Sequence, residues 1–470
     1  MSRRVRWKFQ SASLAIGLIA CASLPFDEAI SETLEAALAH AYSNNPQLNA
    51  QRALVRVTDE GVPQALSGYR PRVSATASVG EQYWDTYARG SSSTAPYVKQ
   101  SGTMTPSGYG LTGTQTLYNG FQTANRTRQA ESQVSAARET LRSFEQSVLL
   151  NGATAYMNLL RDSAIFDLQK RNVEVLQEQL RQTRDRFNVG EVTRTDVAQS
   201  ESRLAAGRSQ VLTAEANYKT SSAVYRQVIG TEPGKLSPAT PVDRFSPRAL
   251  NEAVAAGSTQ HPSVTTAQFN VDAALLAVKV AEGALQPTLS LQGSVQKSYE
   301  SSLSALETFS ASVLGQVTVP IYQGGAEYSL IRQTKETLGQ RRLDLDTARD
   351  QTRQVVVQSW GQLEAAKGNI EATQAQVQAA EIALNGVREE ARVGQRTTLD
   401  VLNAQQELVN ARVSLVTAQR DRVVASYTLL SSVGRLSPTV LGLPVAVYDA
   451  QVHYQQVRDV WTGVRTPDGR

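Results

Sequence analysis

The second half of this chain copies the first, and that duplication limits the fold more than any other feature of its 470 residues. Leu34, Asn45-Pro46 and Pro71 recur as Leu250, His261-Pro262 and Pro287, each 216 residues further on. From Tyr118 onward the displacement is 204. Tyr118-Asn119-Gly120 returns as Tyr322-Gln323-Gly324, Val189-Gly190 as Val393-Gly394, Thr193 as Thr397, Asp196-Val197 as Asp400-Val401 and Gly230 as Gly434. The slip of 12 between Pro71 and Tyr118 gives the first copy a longer insert there. From Tyr118 to Gly230 the match needs no gap.

Each copy has the same internal order. A helix starts at Asn-Pro or His-Pro, where proline suits the first helical position, and helical sequence runs to Pro71 or Pro287. Short alternating stretches follow. In Val73-Ser74-Ala75-Thr76-Ala77-Ser78-Val79 every second residue is apolar, and Leu289-Ser290-Leu291-Gln292-Gly293-Ser294-Val295 repeats the pattern. Period-two alternation predicts strands with one apolar and one wet face. The return strands end near Tyr118 and near Val317-Thr318-Val319-Pro320-Ile321. These strands carry little bulk, and Ser, Thr, Gln and Gly line their polar side. That composition suits a barrel with lipid outside and water inside better than a sandwich core. Two strands per copy make four, too few to close a barrel, so strands must be pooled between subunits. Tyr83, Trp84 and Tyr87 fall in the expected loop of the first pair. With Tyr118 and Tyr322 they are candidates for a membrane-interface girdle.

After Gly120 and Gly324-Gly325 come stretches of about 65 residues without proline, rich in helix formers. Ala130, Val134, Ala137, Leu141, Phe144 and Val148 alternate steps of four and three, the heptad period of a coiled coil. Leu363, Ala366, Ile370, Val377, Ala380, Leu384 and Val387 continue it in the second copy. Such a helix spans roughly 100 Å, far beyond a globular core. Each ends at a glycine turn, Val189-Gly190 or Val393-Gly394, followed by Thr193 to Asp196 or Thr397 to Asp400. Glycine supplies the left-handed turn, Thr and Asp favour the next helix start, and a second apolar-periodic helix returns to Gly230 or Gly434.

Arg3, Arg4, Arg6 and Lys8, then apolar Leu14 to Ala20, predict a secretory signal within residues 1–31. Three processing sites fit: after Ala22, after Ser31, or before Cys21, which would lipidate the only cysteine. Beyond the signal no apolar run approaches the ~20 residues of a membrane helix, which leaves a soluble envelope protein or a closed barrel. With 47 basic and 43 acidic residues the charge is near balance, giving no case for nucleic acid. Three histidines and one cysteine are too sparse for a metal site built on them. No nucleophile elbow, phosphate-binding glycine loop or metal-spaced cluster points to an enzyme, and no cofactor is expected.

From Glu32 to about Leu443 the residues resemble the TolC family of outer-membrane efflux and secretion proteins. The duplicated order, the Tyr-Asn-Gly and Tyr-Gln-Gly-Gly strand exits and the paired Val-Gly-x-x-Thr-x-x-Asp-Val tips carry the resemblance. It implies a mainly α chain with a small β part. Three subunits would pool four strands each into an outer-membrane β-barrel continued by a long periplasmic α-helical barrel. It also implies a homotrimer working with a periplasmic adaptor and an inner-membrane transporter of the ABC or RND type. The cargo would be proteins or small toxic molecules. The tail from Tyr448 through His453-Tyr454 and Trp461 is similar to members serving type I secretion.

By position in that family, Thr195 and Asp196 match entrance-closing residues of the first tip, and Arg396 and Asp400 those of the second. Ala391 replaces a tyrosine that helps hold the entrance shut, and Asn403 replaces a second acidic residue of the entrance ring. The resemblance therefore implies a thinner closing network and a single acidic ring of Asp400. Capping of the returning helices is the plainer role for Asp196 and Asp400. Val189, Gly190, Thr193, Val393, Gly394 and Thr397 are the candidate adaptor contacts. The expected layout is a signal at 1–31, a first repeat at 32–249 (strands about 72–118, hairpin about 121–230), a second at 250–443 (strands about 288–322, hairpin about 325–434) and a periplasmic tail at 444–470. The competing expectation is a soluble periplasmic coiled-coil adaptor or scaffold, although adaptors place one hairpin among β-domains and this chain has two.

Overall fold

The computed structural model describes residues 32–92, 95–302 and 305–469. The expected signal, with Cys21, lies outside the described residues. The first repeat begins with α1 (Leu34–Asn44), α2 (Pro46–Asp59) and α3 (Gly61–Leu66), followed by β1 (Arg72–Val79), β2 (Gln82–Ser92), β3 (Ala95–Met104) and β4 (Ser107–Asn119). The long hairpin of α4 (Gln122–Asn188) and α5 (Arg194–Ile229) completes it. The second repeat runs α6 (Leu250–Gln260), α7 (Pro262–Gly283), β5 (Thr288–Ser302), β6 (Ala305–Thr318), α8 (Ala326–Arg392) and α9 (Thr398–Ser432). Two short helices, α10 (Pro438–Leu441) and α11 (Ala450–Val457), lie in the tail.

The duplication is kept most closely in the long helices. Both α4 and α8 have 67 residues, hence a length of roughly 100 Å each. The helix starts also correspond. Asn45 caps α2, its Oδ1 accepting from the amides of Gln47 and Leu48 at 2.9 and 3.1 Å. His261 does the same for α7 through Nδ1, which accepts from the Ser263 amide at 3.2 Å.

The heptad positions bury as the period requires. Val134, Leu141 and Val148 are buried on α4, and Leu363, Ala380 and Leu384 on α8. The main core sits midway along the hairpins, where α1 and α2 lie on α4. There Leu38, Tyr42, Leu149, Tyr156, Tyr225, Ile229 and Tyr427 pack together. Tyr156 is satisfied at its polar end, its hydroxyl donating to the carbonyls of Glu32 and Ser237 at 2.8 and 2.7 Å. A buried tyrosine with such partners contributes its ring area without stranding its hydroxyl.

The expected four strands form the sheet, and two further strands extend the first pair, making six among the described residues. β1, β4, β5 and β6 form one antiparallel sheet in that order, while β2 and β3 pair separately beyond it. The first strand pair is thus one long hairpin interrupted at Gly80 and Pro106, and proline cannot donate to a central ladder. The 12-residue insert lengthens this hairpin rather than forming a loop. Tyr83, Trp84 and Tyr87 consequently lie in β2, not in a connecting loop. β6 ends at Thr318, ahead of Pro320.

The repeats meet at β4 and β5, whose register runs from Ser107↔Tyr299 to Asn119↔Thr288. At the foot of β4 the chain turns sharply into α4. Gly120 there has φ +64 and lies so close to Gly283 that an added Cβ would meet its carbonyl and approach Gln286 Cβ to 2.6 Å. Only glycine fits both conditions.

Candidate membrane face and channel entrance

Register assigns every strand residue to one of two faces. Val73, Ala75, Ala77 and Val79 of β1 share a face with Tyr109 and Leu111 of β4, because directly paired residues point the same way. Leu289, Leu291, Val295 and Tyr299 of β5 and Phe309, Val313 and Val317 of β6 extend that face. The opposite face carries Ser74, Thr76 and Ser78, then Thr112 and Thr114, then Ser290, Gln292, Ser294 and Gln296, then Ser310, Ser312 and Gln316. Leu314 is its one large apolar residue among the paired positions. Ser294 and Ser312 are joined across it at 2.8 Å.

Among the described residues nothing covers either face. Val73, Val79, Phe309, Val313 and Val317 are all exposed. A sheet that buries neither side has no core of its own, and its edge strands β1 and β6 keep unpaired backbone groups. Among the described residues no helix is long and apolar enough to cross a membrane.

The aromatic residues mark two levels. Tyr118 closes β4 at the foot, its ring edge-on to Phe121 at 5.5 Å, and Tyr322 lies just past β6, exposed. Tyr109 and Phe309 share the upper level with Lys297 between them in register. Sequence reasoning missed Tyr109, Tyr299 and Phe309; strand alternation alone could have found them. Tyr83 and Tyr87 stand further out on one face of the β2–β3 hairpin, with Trp84 on the other. Lys99 Nζ sits 5.2 Å above the Tyr87 ring and 3.5 Å from Asp85.

At the far end the two tips are near copies. Val189 and Val393 end the long helices, and Gly190 and Gly394 take φ +81 and +79. A capping box then starts each returning helix. Asp196 Oδ2 accepts from the Thr193 amide at 2.9 Å and from its hydroxyl at 2.7 Å. Asp400 Oδ2 accepts likewise from Thr397, at 3.0 and 2.8 Å. The Thr193 hydroxyl, then its amide, hold the Asp196 carboxyl below its ordinary range; for Asp400 the Thr397 amide leads and the hydroxyl follows. Both carboxylates are therefore charged at neutral pH while serving as caps. Thr195 lies in the first turn of α5 without a role in this box.

Arg396 does not meet Asp400 in a direct ion pair. Its Nε donates to Glu390 Oε2 at 2.8 Å, across its own turn. Asn403 is engaged from the other hairpin, where Arg203 Nη2 donates to its Oδ1 at 2.7 Å. Below it, Arg388 donates to Gln405 at 3.0 Å, and buried Gln405 reaches buried Asn172 of α4 at 3.4 Å. Arg203, Arg388 and Asn172 carry no local sequence signal, since their partners are far away in the chain or on another helix. Between the tips lies an open cleft of about 810 Å³ bordered by Arg186, Glu191, Arg388, Ala391, Arg392 and Arg396.

A two-faced sheet without a core, mounted on paired hairpins of this length, defines the tandem-repeat channels of the outer membrane. The chain belongs to the outer membrane efflux protein family, which it matches over residues 37–231 and 258–435. It is 42% identical to outer membrane efflux protein BepC of Brucella suis biovar 1 (strain 1330) over 451 residues, 94% of each chain. To outer membrane protein TolC of Escherichia coli (strain K12) it is 28% identical over 314 residues, 63% of each chain. The crystal structure of the outer membrane protein VceC from Vibrio cholerae superposes with a TM-score of 0.71 at 17% identity, covering 85% of this chain and 96% of that one. A likeness at that identity speaks for the fold. Membership makes the chain an outer-membrane channel protein and sets the soluble adaptor aside.

Proposed function

We propose that three copies close their sheets into one barrel, β1 of each pairing with β6 of the next, and that their hairpins form a periplasmic tunnel. The observation that carries this is the open, two-faced sheet: apolar residues on one side, Ser, Thr and Gln on the other, and an unpaired strand at each edge. Closure satisfies both edges at once, turns the apolar face to lipid and leaves the polar face lining water. Leu343 and Ile382 of α8 and Leu212 of α5, all exposed, are available to neighbouring copies in the tunnel wall.

In this reading the tips are the periplasmic entrance and receive an adaptor, which links the tunnel to an inner-membrane transporter of the ABC or RND type. Val189, Gly190, Thr193 and their counterparts Val393, Gly394 and Thr397 form the adaptor contact. Three Asp400 carboxylates brought to a narrow axis form a cation site, since a constriction focuses charge. Each Asp400 uses Oδ2 for its cap. Export of small toxic molecules is the first reading, supported by the full-length similarity to a protein named for efflux. Protein secretion is the second, supported by the resemblance of the tail around His453-Tyr454 and Trp461 to type I secretion members.

The experiment is purification from detergent-extracted outer membranes, followed by mass measurement and planar-bilayer recording. A trimer that conducts supports the proposal; a monomer released by osmotic shock that never permeabilises a bilayer ends it. Asp400→Ala should relieve cation block, and unchanged block removes the ring. Loss of resistance to toxic compounds on deletion distinguishes efflux from a secretion defect.

A further inference from the structure

The C-terminal tail lies beyond residue 435, where the family match stops, and its course is set at three points. It enters at α11, where buried His453 puts Nδ1 3.1 Å from Oδ2 of Asp59, a fully buried residue at the end of α2. It then runs towards the sheet, because Arg70, two residues before β1, donates Nη1 to the Val460 carbonyl at 2.8 Å. It turns back by Asp468, 3.9 Å from Arg56 of α2. The apex of this loop, residues 460–465, is the part nearest the barrel.

That apex has the wrong surface for water. Val460 is 50% exposed, Trp461 67% and Val464 100%. The Trp461 ring lies under the Arg70 guanidinium at 4.8 Å, a contact that fixes its height. Gln115 of β4 donates to the Tyr69 carbonyl at 2.8 Å, so Tyr69 and Arg70 run beside the last residues of β4, which carry exposed Leu117 and Tyr118. Trp461 thus stands level with the foot of the apolar face. Arg70 is beside it and Arg465 follows in the same segment; the acidic groups of the segment are Asp459 and Asp468, the latter beside Arg56. Arg458, 3.7 Å from Glu131, is engaged lower down.

From this geometry we infer that the tail apex is an interfacial anchor, with Trp461, Val460 and Val464 entering the periplasmic leaflet and Arg70 and Arg465 meeting anionic phospholipid headgroups. Tryptophan prefers that boundary because its ring is apolar and its N–H polar. Arginines beside it gain from a negative surface. The loop therefore joins the helical body, held at Asp59, to the bilayer rim. The inference rests on insertion of the sheet in a membrane.

The test reconstitutes the full-length protein and its Trp461→Phe variant in vesicles and takes the difference in emission as the signal of this one indole. Vesicles contain lipids brominated on the acyl chain, with or without phosphatidylglycerol; acrylamide probes exposure to water. The expected result is quenching by brominated lipid that strengthens with phosphatidylglycerol. Arg465→Gln, which does not touch the ring, should lower the lipid-exposed population about fivefold. Quenching by acrylamide alone overturns the anchor. Protection from both quenchers also overturns it, showing that a second copy or the tail itself covers the ring. Flotation and conductance of the same vesicles separate the two ideas: an inserted, conducting channel with an unquenched Trp461 loses only the anchor, whereas failure to insert removes the channel reading and the anchor with it.

Discussion

Arg203 Nη2 lies 2.7 Å from Oδ1 of Asn403, tying the returning helix of the first hairpin to that of the second close to the tips. Arg396, the cation nearer the end, is closed onto Glu390 of its own hairpin instead. Movement of one hairpin relative to the other must therefore break the Arg203 contact, not the Arg396 one. Arg203→Ala should raise the open probability of the reconstituted channel, by up to about fivefold, because exposed polar contacts of this kind contribute ~0–1 kcal/mol. Single-channel recording reads this directly, and equal open probabilities would show that the contact does not restrain the tips.

The capping boxes predict matched losses. Thr193→Ala and Thr397→Ala each remove one hydroxyl that both accepts from an amide and donates to the capping carboxylate. Each should lower local stability by about 1 kcal/mol, seen as faster amide exchange in the first turn of α5 or α9 with the mid-hairpin core unchanged. Folded-state values for Asp196 and Asp400 lie below the ordinary 3.8. Their contribution is therefore complete above that value and disappears as pH falls through the lowered one. Exchange at the tips should accelerate only in strongly acidic buffer.

His261 predicts a pH effect nearer neutrality. Burial first, and Arg142 second, press its pKa below 6.5, and its neutral Nδ1 is the acceptor that caps α7. The cap contributes fully above 6.5 and is lost as pH falls through the lowered folded value. His261→Asn copies the residue that caps α2 and should flatten the melting temperature between about pH 7 and 5. If wild type and variant lose stability in parallel, His261 is not the group that titrates.

Gly120 predicts the largest single loss. Its φ of +64 disfavours any side chain, and an added methyl would collide with the Gly283 carbonyl. The conformation alone costs roughly 1–2 kcal/mol for an L-residue, and the backbone collision adds to it. Gly120→Ala should sharply reduce heat-resistant assembled protein in outer membranes, whereas Gly293→Ala, with open space around its Cβ, should leave it intact. Equal yields of the two would contradict the close approach.

The long hairpins were legible because a helix is a local object. Val134, Leu141 and Val148 carry the period, Gly190 and Gly394 the turn, and Thr193 and Thr397 the restart, all within a few residues of where they act. The strands were legible as strands, and four to a sheet, but the division of the first pair and the order of the sheet were not. Gly80 and Pro106 divide the first pair only because they fall opposite one another, and that depends on register. Tyr83, Trp84 and Tyr87 were displaced from loop to strand for the same reason. The tip residues were found, yet their partners were not: Asn403 meets Arg203, two hundred positions earlier, and Arg396 meets Glu390 rather than Asp400.

By itself, the sequence determined a unit built twice, with very long helices, each of 67 residues in the structure, and strands of alternating polarity, since period and capping act between near neighbours. The tertiary structure alone decided that β4 of the first unit pairs with β5 of the second, that the foot of the sheet turns at Gly120 against Gly283, and that the tail returns to Arg70. Those choices depend on which distant backbone groups find one another. Residue type permits many such pairings, and only the shared packing of both repeats selects one.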